Sequence, residues 1–291
     1  MDADTESYIL LLLSDGNLPT GSFVASSGLE SYEKHGFFSL ASSSVPTPDN
    51  NTSQPPAKTA AVMSFMRDNV QSYANSTLPF VSAVYGVCDR IQRGECSDND
   101  GLRSLTQLDD LYEATTLNHV ARRASTAQGV ALLTLLGKGL TKPVWLGDGG
   151  SGKQSLEQLA DSLKLEIRRG NSHGHLPICW AVLTAALGLS CPRSQHLFMF
   201  LQARSLLSAS IRLNSIGPYA AQQLLLHFVR PLVEAAVQEA GTRAIRYASA
   251  PEDYAGDLLL DESIEDGPVV TWPLGEVIAA RHDQQHSRIF N

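Results

Sequence analysis

Two stretches hold residues whose types and spacing could do chemistry. In Gly147-Asp148-Gly149-Gly150-Ser151-Gly152-Lys153, the positions Gly147, Gly152 and Lys153 fit the spacing of a phosphate-binding loop. In such a loop backbone N–H groups cradle phosphates and the lysine reaches the terminal ones. The chemistry also needs a Ser or Thr next, to hold magnesium, and Gln154 stands there. A buried strand should lead into the loop, yet the run Leu140–Leu146 is interrupted by Pro143. The stretch therefore reads as a surface insertion, with nucleotide binding as the competing reading. In the second stretch, His173-Gly174-His175 with Cys179 four residues on could supply two imidazoles and a thiolate to a metal. The spacing is that of no zinc finger, and no neighbouring carboxylate or second cysteine pair completes a four-ligand set. This reads as a loop before a helix starting near Pro177. A metal held with ligands from another chain is the alternative.

Nothing else in the chain reads as catalytic. The eight histidines are scattered and no Gly-x-Ser-x-Gly elbow occurs. Arg122-Arg123 and Arg168-Arg169 read as solvated helix faces. Glu30 and Glu33 share a helical face without a partner that would make them an acid–base pair. No catalytic residue and no cofactor site is expected.

The elements that carry these residues read as helices. Apolar residues three and four apart mark Ala57–Tyr73, Leu78–Arg93, Leu156–Ile167, Ile178–Leu189 and Gln195–Leu213. Leu102–Leu136 is long enough for two helices with a break near Asn118. Ala220–Ala240 should bend at Pro231, which cannot supply an interior hydrogen bond. Thr271–Ser287 closes the chain, with Thr271 as cap and Pro273 in the first turn. Alternating strand-like runs are missing. The expected fold is all-α, a single helical-bundle domain of roughly ten helices over residues 1–291.

Composition bounds the rest. The chain has 291 residues, 43% of them apolar, enough to bury a sizeable core. Ala41–Lys58 is rich in Ser, Pro and Asn and should be a disordered loop. The net charge is −8, and Tyr247–Ala280 holds eight acids with no Lys or Arg. Residues 247–270 accordingly read as an acidic linker, and the balanced remainder offers no basic stripe for nucleic acid. Four cysteines without a CxxC pair imply reduced structural thiols. The acidic start MDADTESY and the short apolar run after it suit neither a secretory signal nor a membrane span, so a cytoplasmic protein is expected.

The two ends carry the most specific pattern. In Leu11–Glu30, LLLSDGNLPTGSFVASSGLE, an apolar run stops at a cluster of turn formers. Thr20 or Ser22 can then cap a small-residue helix spanning Phe23–Glu30, whose Ala, Ser and Gly let a second backbone approach closely. At the other end, Arg281–Asn291, RHDQQHSRIFN, gathers Arg281, His282, His286 and Arg288 where cations suit a helix C-terminus. Ile289 and Phe290 follow on a terminus that ordinarily frays. Apolar residues there make sense if a partner receives them. Docking of the tail on its own domain is the other reading.

This combination resembles the urease accessory protein UreF family. The opening matches at Leu18, Pro19, Gly21, Phe23, Ser26, Gly28, Leu29 and Glu30. The end resembles the family's Arg-His-Glu-x-Gln-Tyr-Ser-Arg-Leu-Phe run at Arg281, His282, Gln285, Ser287, Arg288 and Phe290, with His286 in place of the Tyr. Between them, Ala121–Gly129, His175-Leu176-Pro177 with Leu187–Leu189, and Arg212–Pro218 with Gln222 resemble internal blocks, in the same order. The resemblance implies a non-enzymatic assembly factor for nickel insertion into apo-urease. Its implied partners are a UreD/UreH-type scaffold and the GTPase UreG, and it would itself dimerise. It implies that nickel is handled by the complex, and leaves open whether nickel contacts this chain. By analogy, Phe23, Gly28, Glu30, Gly217 and Gln222 would lie at partner or dimer surfaces together with the tail.

Overall fold

A computed structural model of the chain describes residues 2–16, 18, 26–38, 55–142, 145, 155–241, 243, 245, 267–285 and 289. The Gly147–Lys153 loop, Phe23, Ser287, Arg288, Phe290 and most of the predicted loop 41–58 and linker 247–270 lie outside them. The helices are α1 (Ala3–Leu13), α2 (Leu29–Lys34), α3 (Ala57–Gln92), α4 (Asp98–Thr115), α5 (His119–Leu135), α6 (Ser155–Arg169), α7 (Leu176–Ala186), α8 (Cys191–Arg212), α9 (Pro218–Leu224), α10 (Arg230–Ala240) and α11 (Pro273–Ala280). A π turn follows α5 at Leu136–Leu140, another joins α9 to α10 at Leu225–Val229, and a 3-10 turn extends α11 over Arg281–Gln284. The expected all-α bundle is the observed fold. No strand occurs among the described residues.

The hub is α7. Its sequence LPICWAVLTAA is apolar all round, and every residue from Leu176 to Ala185 is buried, as a helix without a solvent face must be. It packs against α3, α5, α6 and α8. The indole N–H of Trp180 donates to Ser194 Oγ at 3.0 Å, and Thr184 Oγ1 stands 2.8 Å from the same hydroxyl. Polar atoms inside the core are thus satisfied by one another.

The longest helix corrects one expectation. Ala57–Tyr73 and Leu78–Arg93 are not two helices but parts of α3, 36 residues long, about 54 Å at 1.5 Å per residue. Its first residues, Ala57 and Lys58, were expected at the end of the disordered loop. The polar stretch Ala74–Thr77 looks like a break in sequence. In the fold, Ser76 and Thr77 return their hydroxyls to the Tyr73 carbonyl at 3.1 and 2.6 Å. Pro79 has no N–H, which deprives the Asn75 carbonyl of its donor within the helix. The Val269 N–H supplies it from outside at 3.1 Å. Asn75 also binds Glu239 through Nδ2 and Arg243 through Oδ1, at 3.2 and 2.9 Å. The apparent interruption is where the end of α10 and the segment before α11 attach.

Ser72 completes that attachment. Its Oγ accepts the Thr271 and Trp272 N–H groups at 3.1 and 3.2 Å. Trp272, not Thr271, is the N-cap residue of α11, while Thr271 is held to α3 through its N–H. Pro273 occupies the first turn as expected. The α-helix stops at Ala280 rather than Ser287, with Gln285 already extended.

The break at Asn118 is as expected. Its Oδ1 accepts the Val120 and Ala121 N–H groups at 3.0 and 3.3 Å, capping α5. Its Nδ2 donates to the Glu276 carbonyl of α11 at 3.2 Å. Asn118→Ala should therefore cost about 1–2 kcal/mol in urea unfolding. Asn118→Asp should recover most of that loss while keeping the cap, and the residual deficit reads the bond to α11.

Pro231 stands in the first turn of α10, directly after the π turn at Leu225–Val229. The small-residue helix is shorter than expected. Ser27 and Gly28 have φ of 50° and 87°, so the backbone turns there and α2 begins only at Leu29. Close backbone approach does occur: a Cβ on Gly28 would stand 3.0 Å from Ala279 Cβ. The second backbone belongs to α11 of the same chain.

Candidate functional site

On α4 the buried face carries Leu105, Leu108, Asp109 and Tyr112. An aspartate in that row is unusual unless it is fully hydrogen-bonded, and Asp109 is. Its Oδ2 accepts from Ser172 Oγ at 2.5 Å and from the His173 and Gly174 N–H groups at 2.7 Å each. Its Oδ1 accepts the His175 N–H at 2.9 Å. These donors enter α7, whose N-cap His175 makes no side-chain cap of its own. The next N–H, Leu176, is taken by Ser125 Oγ of α5 at 2.9 Å. Two neighbouring helices thus satisfy the orphan donors at the start of the hub helix, with a carboxylate at its positive end.

Glycine makes the arrangement possible from the other side. Gly174 has φ of 79° and a Cβ there would lie 2.8 Å from Ile167 Cδ1. On α5, Gly129 presses its bare Cα on the loop. A Cβ would overlap the Gly174 carbonyl oxygen and stand 2.9 Å from the His175 carbonyl carbon.

The loop so held brings both imidazoles to Glu113, one turn beyond Asp109. His175 Nε2–H donates to Glu113 Oε2 at 2.8 Å, and Arg122 donates to Oε1 at 2.6 Å. His173 Nε2 lies 3.3 Å from Asp110 Oδ1, and the two imidazole centroids are 5.6 Å apart. Burial lowers the His175 pKa more than Asp109 and Glu113 raise it, so the ring is neutral at pH 7. Burial alone would raise the Glu113 carboxyl. Hydrogen bonds from Arg122 and His175 outweigh it and hold the group below the ordinary carboxylate range. One ligand-type atom each from Glu113, His173 and His175 lies within 4.8 Å of the others.

Cys179, weighed in the sequence as a thiolate beside the two histidines, does not join this cluster. Cys179 is wholly buried on α7, and burial pushes its thiol well above the usual range. It faces the core one turn on, whereas the carboxylate missing from the local sequence comes from α4.

The C-terminal segment forms a second cluster. Glu30 is fully buried and accepts from Lys34 Nζ at 3.0 Å and from the Ile289 N–H at 2.8 Å. The buried His282 brings Nδ1 to 4.0 Å from Glu30 Oε2. Gln285 Nε2 donates to Ser31 Oγ. Asp283 takes Arg123 in a fork, both bonds 2.9 Å, with His119 Nε2 at 3.2 Å. The chain after α11 is thus fastened to α2 and α5.

The blocks that resemble one family in sequence are the ones this geometry uses: Gly129 against His175, and Glu30 against the tail. The UreF family model matches residues 57–229. Along its length the chain is 41% identical to urease accessory protein 6 of Cryptococcus neoformans, over 98% of this chain and 97% of that one. The chain belongs to the UreF family. It is also 30% identical to urease accessory protein F of Oryza sativa subsp. indica, over 81% of this chain and 74% of the relative. A UreF-like urease accessory protein of Schizosaccharomyces pombe is 26% identical over 100% of this chain.

Residues that the UreF resemblance assigned to partner surfaces divide three ways. Gly28, Glu30 and His282 are buried, and Gln285 is half-buried, so they hold α2 to the C-terminal segment rather than face outward. The correction has a simple cause: a polar residue beside an apolar run looks exposed until a second polar residue from the far end of the chain meets it. Arg281, Gly217 and Gln222 are exposed. Phe23, Ser287, Arg288 and Phe290 are outside the described residues. Asp109, Glu113 and Gly129 were missed as site residues. The available signal was an aspartate four residues after Leu105 and three before Tyr112, on a buried helical face.

Proposed function

We propose that this UreF-family protein is a non-enzymatic urease accessory factor that binds a UreD/UreH-type scaffold and, through it, the GTPase UreG. The complex supports nickel insertion into apo-urease, and the chain works as a cytoplasmic homodimer. The reading rests on the full-length similarity to a protein named urease accessory protein 6. Surface chemistry supports it. Beside the docked tail, α11 leaves Leu274 and Val277 exposed, with Leu117 of the α4–α5 turn 85% exposed nearby. Apolar groups this open are more often contacts for other proteins than decoration when they cluster. Tyr219 and Leu226, seven residues apart and exposed, form a second face with Gly217 and Gln222. That face is assigned to the dimer and the α11 face to the scaffold.

Co-expression with the scaffold and size-exclusion chromatography test the assignment. Deleting 281–291 should abolish co-elution. Because the deletion also removes Asp283 and Gln285 from internal bonds, Val277→Asp provides a variant that leaves them in place. It should keep native helicity and still lose the partner. Normal binding by both variants would refute the tail and α11 surface. The isolated chain should neither bind nor hydrolyse GTP, so Lys153→Ala should change nothing.

A further inference from the structure

We propose that Glu113, His173 and His175 form a binding site for one divalent transition-metal ion of the zinc and nickel class. Two imidazoles and one carboxylate suit such borderline ions, whereas calcium and magnesium prefer all-oxygen sets. Three protein ligands leave a position for water or for Asp110, already 3.3 Å from His173. The ligand atoms, within 4.8 Å of one another, must draw together on binding, a movement open to the half-exposed His173 and Glu113 side chains. Around a tetrahedral zinc they would stand about 3.3 Å apart with bonds of about 2.0–2.1 Å.

The platform is preorganised where it must be and open where it must be. Asp109 locks the backbone of both histidines through their N–H groups, which fixes loop geometry before any ion arrives. His173 is 42% exposed and Glu113 27%, giving an ion entry from solvent. Two features limit affinity. Arg122 already neutralises Glu113. An ion on His175 Nε2 would also move the ring proton to Nδ1, which is buried without a hydrogen-bond partner. Binding on the order of micromolar rather than nanomolar is the consequence.

The inference is independent of the partner assignment, because its test uses this chain alone. Titrating the reduced, untagged full chain with Zn2+ or Ni2+ in a calorimeter should give about one ion per chain. His173→Ala and Glu113→Gln should each weaken binding by about tenfold or more, while Cys179→Ser and His119→Ala leave it unchanged. His173 holds Asp109 through its backbone, so its side chain can be removed without disturbing the loop, and circular dichroism should confirm native helicity. Cobalt(II) should show nitrogen and oxygen ligation without a thiolate charge-transfer band. The proposal fails if no stoichiometric ion binds. It also fails if His173→Ala binds as tightly as the parent chain, or if a thiolate band appears and is lost in Cys179→Ser.

Discussion

Asp109→Ala should lower the unfolding free energy by about 4 kcal/mol, the largest loss expected from a single side chain here. The change strands the buried Gly174 and His175 N–H groups and the Ser172 hydroxyl. Each buried donor left without an acceptor costs about 1–3 kcal/mol. The half-exposed His173 N–H can recover water and adds little. For a chain of this size the midpoint of thermal unfolding should fall by on the order of 10 °C. Asp109→Asn separates shape from charge. An amide oxygen placed as Oδ2 keeps three of the bonds but turns its NH2 toward the His175 N–H, so about half the loss should remain. Losses below about 1 kcal/mol for the alanine variant would mean that water replaces the carboxylate and that the loop is not organised by it.

Gly129→Ala comes second, with a net loss of about 2–3 kcal/mol. Alanine would ordinarily stabilise a helix interior by about 1 kcal/mol over glycine. Here its methyl meets backbone, the Gly174 carbonyl and the His175 carbonyl carbon, and backbone cannot swing aside as a side-chain tip can. Helix α5 must move off the hub helix or the loop must deform. Gly86→Ala is the internal control. Gly86 is exposed in the C-terminal third of α3 with no atom within 4 Å of the added Cβ, so that variant should gain about 0.5–1 kcal/mol in the same assay. Because Asp109 and Gly129 act on one loop, the double variant should lose less than the sum of the singles. Additive losses would place the two effects in separate parts of the fold.

Helical periodicity alone was enough to locate α4 to α8 within a few residues, because each buries a face and apolar spacing records that face. Asn118 as a cap and Pro273 in a first turn were legible for the same local reason, since one residue's conformational demand decides them. Where reading failed, the deciding atoms were distant in sequence. Ala74–Thr77 looks like an interruption of α3 until the Val269 N–H is seen on the carbonyl that Pro79 leaves unused. Thr271 looks like a cap until Ser72 is found holding its N–H.

The candidate site shows the same division. His173 and His175 stood out because their side-chain type and spacing are local facts, and Cys179 joined them on spacing alone. Glu113 lies about 60 positions upstream in the sequence, and nothing within the His-Gly-His stretch pointed to it. For the terminal segments the sequence leaves two readings open, reception by a partner and docking of the tail on its own domain. The segments' mutual contact, Glu30 with Ile289 and His282, converts part of their polarity into internal fastening.

By itself the order of residues determined that the fold is all-α, roughly where most of its helices lie, and which family it resembles, since these depend on neighbours within a few positions and on motifs in sequence. Only the tertiary structure decided that Asp109 organises the loop into α7, that Glu113 rather than Cys179 joins the two histidines, and that Glu30 and His282 are inside. The reason is that each of those outcomes is a meeting of groups brought together by helix packing, and no local preference encodes which distant carboxylate will arrive.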